Sequence, residues 1–207
     1  MALRVLPDGS VEARAPYRAS DKIIQQFIQK NKVWIEKTAN RLKEQAAKIP
    51  GKRYQEGETF LYLGREYPLH IAEDMFGKLL FEDRFILAAS HAAKAAKHFE
   101  KWYKQEAFMV FTQRCLKYAQ EMNARYKKIA LSSAKKRWGS CTPRGNLRFN
   151  WKLVKAPLEI VDYVVVHELA HLKELNHSGR FWTIVEKHCP AFQSARKWLK
   201  DYAHSLA

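Results

Sequence analysis

A chain of 207 residues with 47% hydrophobic and 13% aromatic content is long and apolar enough to bury a core. Three cysteines, Cys115, Cys141 and Cys189, with no CxxC spacing exclude a disulfide framework and a four-cysteine zinc module, and no uncharged apolar run nears the roughly 20 residues of a membrane span. The formal charge of +16 is concentrated, with thirteen Lys and Arg against two acidic residues in 101–152, which suggests a polyanion partner or a positive rim around a site for acidic molecules; a solvated helix face gives the same count.

The amino terminus meets a proline and several charges before any apolar run, so neither a signal peptide nor a membrane anchor is expected, and the reducing cytoplasm is the expected location. "LRVLPDGSVEAR" alternates around Pro7-Asp8-Gly9 as a hairpin does. A helix follows, capped by Ser20 or Asp21, with Ile24, Phe27, Ile28, Trp34 and Ile35 at helical spacing, a break near Asn31 and an end before Pro50-Gly51. "TFLYLG", "EYPLHIA" and "RFILAA" predict short strands separated by turn chemistry at 64–66 and 74–77. Residues 1–90 are therefore expected to form a β-rich, mostly antiparallel module with one long helix, and 91–207 a second domain.

The second part opens with a long amphipathic helix over His91–Tyr126, whose stripe is Phe99, Trp102, Tyr103, Val110, Phe111, Cys115, Ala119, Met122 and Tyr126. "KKIALSSAKKRWGSC" predicts one strand and "NLRFNWKLV" another, joined by the Thr142-Pro143-Arg144-Gly145 turn. Lys135, Lys136 and Arg137, with Arg144 and Arg148 across that hairpin, form a candidate nucleic-acid-binding face. Trp138 and Cys141 flank Gly139-Ser140 either as cleft-lining residues or as a tight turn packed by an indole. Three consecutive valines leave 163–166 open between strand and helix, and the spacing of Ile160, Val164, His167 and His171 decides for a helix with Pro157 as its first residue.

On that helix His167 and His171 lie one turn apart on one face, so both imidazoles can reach one ion. Zinc takes neutral imidazole nitrogens at about 2.0–2.1 Å, and a catalytic site keeps three protein ligands and one open position. Glu168, next to His167, is placed to take a proton from the water as general base. Asn176 and Gly179 mark a helix end and return the chain, delivering His177 as third ligand, with Glu186 and His188 as rivals. The spacing HExxHxxxxxH has the metzincin count, but Glu174 stands where that pattern needs glycine. Tyr163 and His188 are candidate oxyanion donors, and Cys141 a candidate inhibitory thiolate. The plain alternative is two core histidines and a solvated glutamate.

"RWGSC" at 137–141, the asparagine of "LRFN" at 150, "AP" at 156–157, "DYVVVHELAHL" at 162–172 and "NHSGRFW" at 176–182 together resemble the YgjP-like metallopeptidases, zincins related to SprT-like proteases. The resemblance implies an α+β fold with a minimal zincin-like domain, its active-site helix packed on a small sheet. It also implies His167, His171 and His177 as zinc ligands, Glu168 as the base and a protein or peptide substrate. An extended substrate is expected along the edge of the strand at 129–134. Two rival functions remain: a basic nucleic-acid-binding protein whose structural zinc takes Cys189 or His188 as fourth ligand, and a zinc hydrolase of non-peptide amides.

Overall fold

Two antiparallel strands, β1 (Ala2–Val5) and β2 (Val11–Arg14), open the computed structural model, paired from Ala2↔Arg14 to Val5↔Val11. The structure describes residues 1–6, 10–48 and 51–206, and side chains other than those of 41–48 and His204; the expected turn at Pro7-Asp8-Gly9 lies outside the described residues. The expected helix is two helices, α1 (Asp21–Lys30) and α2 (Lys32–Lys48), and the break falls at Asn31, whose Nδ2 donates to the Phe27 carbonyl at 2.8 Å. Ser20 occupies the N-cap position through its extended backbone, not through a side-chain bond. Met1–Lys52 form one compact unit and Arg53–Ala207 another.

In the second unit, β3 (Thr59–Tyr62), β4 (Arg65–Ala72), β5 (Leu79–Phe81) and β6 (Phe85–Ala88) form a sheet of order β3-β4-β6-β5. It is mostly antiparallel, as expected, but β4 and β6 run parallel, because the three-residue β5, too short to show a pattern, occupies the far side of β6. A 3₁₀ turn at Ala89–Lys94 leads into α3 (Ala95–Glu121). The sheet and α3 share one aromatic core: Phe60 stacks on Phe99 at 4.2 Å, Phe85 lies 4.9 Å from Phe99, and the Tyr103 hydroxyl donates to the Leu61 carbonyl at 2.6 Å. The expected boundary near residue 90 is thus crossed by a continuous core, and the compact units divide at Lys52 and Arg53 instead. Short of the expected Tyr126, α3 stops where Asn123 takes a left-handed φ of 46° and Ala124 N–H returns to the Ala119 carbonyl.

The single strand expected over 127–141 is two, β7 (Lys128–Ser132) and β8 (Gly139–Cys141), on either side of β9 (Asn146–Asn150), with β7 parallel and β8 antiparallel to it. The end of β9 holds the intervening residues in a loop. Asn150 Nδ2 donates to the Ala134 carbonyl (3.0 Å), Asn150 N–H to the Trp138 carbonyl (2.8 Å), and Trp151 Nε1 to Ser133 Oγ (3.1 Å). This sheet packs on α3, with Phe111 stacked on Phe149 at 4.6 Å. A 3₁₀ turn (Trp151–Lys155) then leads to α4 (Leu158–Ala170), α5 (Gly179–His188) and α6 (Phe192–Tyr202). The whole is a mixed α+β fold, and no helix among the described residues is long and apolar enough to cross a membrane.

Candidate metal centre

The site is built on α4, which starts after Pro157, one residue later than the spacing predicts; the Pro157 carbonyl accepts from Ile160 and Val161. Val164, Val165 and Val166 are all buried, because α4 is enclosed by α3, β8, α5 and α6, and a helix surrounded on every side reads as hydrophobic all round. Strand propensity loses here to burial that any secondary structure could have satisfied but only the helix lets His167 and His171 share.

His167, His171 and His177 converge, with ring centroids 5.1, 5.0 and 4.7 Å apart pairwise and one potential ligand atom from each within 4.8 Å of the others. His177 Nε2 lies 3.1 Å from His167 Nε2, close to the roughly 3.3 Å that separates two nitrogens bound to one tetrahedral ion at 2.0–2.1 Å. His171 Nδ1 is 3.2 Å from the Glu174 carbonyl, so Nδ1–H donates there and the lone pair on Nε2 is left for the cluster. His177 is delivered by a short turn, and immediately beyond it Ser178 Oγ accepts from Phe181 N–H to start α5. The fully buried Phe181 ring floors the three imidazoles at 4.6–4.9 Å.

Electrostatics suit a cation. Burial, with the repulsion of His171, His177 and Arg196, pushes the His167 pKa down to about 3, and burial lowers that of His171. Neutral imidazoles are the form that binds a metal. Among the described residues no other group of three or more His, Cys, Asp or Glu comes together in this way, and no fourth such residue joins this one. Glu186 is exposed, and the charges nearest His188 are Lys187, Glu121 and Lys173 rather than the cluster.

Glu168 is only 5% exposed and makes no hydrogen bond or ion pair among the described residues; burial raises its pKa to about 7, against the opposing charge of Arg137. Its carboxylate lies against the backbone of β8 at Gly139. Gly139 and Ser140 are therefore strand residues beside the carboxylate and not a tight turn. The sheet edge beside the carboxylate is consequently β8, whereas the 129–134 stretch named from sequence is the opposite edge, packed on α3. Burial and the Glu168 charge push the Cys141 thiol up to about 11, and Cys141 is not among the residues whose ligand atoms converge. Tyr163 is buried against His167, ring centroids 5.8 Å apart, with its hydroxyl pushed up to about 12, chiefly by burial.

Lys135, Lys136 and Arg137 are exposed on the loop between β7 and β8, and the effect visible there is that of Arg137 on Glu168. Two features escape a reading of the sequence. The floor of Phe181 and Trp182 looks like ordinary helical core, and the contact between Gly139 and Glu168 joins residues far apart in the chain; a glycine inside a strand pattern is its one signal.

The mixed α+β fold thus carries a histidine cluster that could hold a metal ion. The family model for the YgjP-like metallopeptidase domain matches residues 1–202, and the chain belongs to that family. The family match brings no nucleic-acid partner with it. Comparison with curated proteins and with solved structures returned no match.

Proposed function

We propose that this protein is a zinc peptidase in which His167, His171 and His177 hold the ion and Glu168 is the general base. The observation that supports this best is the convergence of three imidazoles beside a buried carboxylate that makes no hydrogen bond or ion pair among the described residues. The chemistry zinc supplies in such a site is Lewis acidity toward water and toward the scissile carbonyl. Glu168 takes the proton of the attacking water and passes it to the leaving amine nitrogen. Its raised pKa suits both halves of that task, since a carboxylate near 7 accepts a proton readily and gives it back at neutral pH. The donor assigned to the developing oxyanion is Tyr163, whose ring packs against His167 and whose hydroxyl keeps its proton.

An extended peptide is accommodated by the short edge strand β8, whose far side faces no other strand in its sheet. Three ligands without a fourth among the described residues favour a catalytic over a structural ion. The free state of all three cysteines goes with a reducing, cytoplasmic setting. Glu168→Gln preserves shape but accepts no proton, so it is expected to keep zinc content and fold while losing hydrolysis of a denatured protein substrate by roughly 10²-fold or more. Wild-type turnover by that variant would remove Glu168 from the mechanism.

A further inference from the structure

A Cβ built on Gly139 would lie 2.5 Å from Glu168 Oε1, 2.6 Å from its Cγ and 2.8 Å from its Cδ. Contacts this short are not ordinary packing, and three consecutive atoms of one side chain are involved. Gly139 is not among the residues of positive φ. Any L-residue could therefore adopt its backbone, and what the position requires is empty space rather than conformational freedom. The strand cannot simply retreat, for Gly139 is paired with Phe149, a fully buried residue stacked on Phe111, and Asn150 N–H fixes the Trp138 carbonyl just before it. On the other side, α4 is held by its buried neighbours Val165, Leu169 and Ala170. Two rigid elements thus face each other across a gap as wide as the Glu168 carboxyl group.

We infer that Gly139 is a positioning residue, whose missing side chain is the seat that fixes where the Glu168 carboxylate lies relative to the three histidines. This rests on Glu168 being the base. The seat confines the carboxylate from one side only, leaving its other side to the water and the leaving group. It also explains why a buried carboxylate can lie so close to a strand without bonding to it. The neighbour it meets offers neither a side-chain donor nor a side-chain obstacle.

The test is Gly139→Ala, alone and combined with Glu168→Ala. Displacing a reacting group by about an ångström costs on the order of 10² in rate, so G139A is expected to lower kcat by about that factor, with KM within about threefold and one metal ion per chain retained. Unfolding of the metal-free protein reads the contact without any activity. G139A is expected to lower the midpoint by about 2–12 °C in the wild-type background, as overpacking does at this chain length, and by less than half as much in E168A. Wild-type turnover by G139A, or an equal midpoint loss in both backgrounds, would overturn the inference. Should G139A alone fail to fold, the E168A/G139A pair has room for the methyl group and is expected to fold; failure of the pair also overturns it. If E168Q proves fully active, the base assignment falls on its own, whereas an inactive E168Q with a normal G139A sinks only the seat.

Discussion

Two carboxylates on α4, six residues apart, have opposite fates. Asp162 receives Arg114 Nε and NH2 at 2.5 and 2.6 Å and the Tyr118 hydroxyl at 3.0 Å, in a pair whose side chains are each 15% exposed, so that α3 and α4 are riveted together. Glu168 is buried more deeply and has no such partner. An unpaired buried carboxylate costs stability and a fully bonded one repays most of that cost. A fold that pairs one and leaves the other bare has spent its polar contacts on the helix and kept a reactive group at its far end. The helix end that carries Asp162 is architecture, and the end that carries Glu168 is chemistry.

That contrast can be broken most sharply at the histidines. His177→Ala removes one of three imidazoles, so metal per chain, measured by elemental analysis after dialysis, is expected to fall to roughly a tenth of wild type or less. Full retention would place the third ligand elsewhere. Next in size is the rivet. Asp162→Ala strands the Arg114 guanidinium between two helices and should cost roughly 3–5 kcal/mol in denaturant unfolding. A loss under about 1 kcal/mol would make the pair a surface contact in energetic terms. The metal content of the folded fraction should be unchanged, which separates the two ends of α4.

The smallest effect sharpens the comparison through pH. Because burial raises the pKa of Glu168 from 4.5 to about 7, its contribution to the stability of the metal-free fold is complete below pH 4.5 and is lost as pH rises to about 7. That loss is roughly 3 kcal/mol. His167, held down to about 3, works in the other direction, withdrawing stability as pH falls below 6.5. In Glu168→Gln the first loss disappears and the second stays. The unfolding free energy of E168Q relative to wild type should therefore climb by that amount between pH 4.5 and 8, and a flat difference would mean that Glu168 is solvated in the folded protein.

Much of this molecule is legible in its sequence where the causes are local. The pairing of β1 with β2, the break at Asn31 and the turn at 142–145 follow from residues within a few positions of one another. The same holds for His167 and His171, since a helix places residues four apart on one face whatever surrounds it. The family resemblance carried by "RWGSC", "DYVVVHELAHL" and "NHSGRFW" matches the family model over 1–202.

What the sequence leaves open is decided by partners far away in the chain. The 127–141 stretch has enough strand propensity throughout to be one strand, and it is cut into β7 and β8 because Asn150 and Trp151 bond to Ser133, Ala134 and Trp138. The boundary near residue 90 follows a change in pattern, but Phe60, Phe85, Phe99 and Tyr103 bury one another across it. His177 becomes a neighbour of His167 through the turn after α4 and the floor that Phe181 provides. Its place after His167 marks Glu168 as a candidate base in the sequence, but only the arrival of Gly139 on β8 and the closing of the core around α4 strip its water and raise its pKa. Spacing along a helix is geometry the chain carries with it, whereas desolvation needs neighbours, and neighbours exist only once the chain has folded.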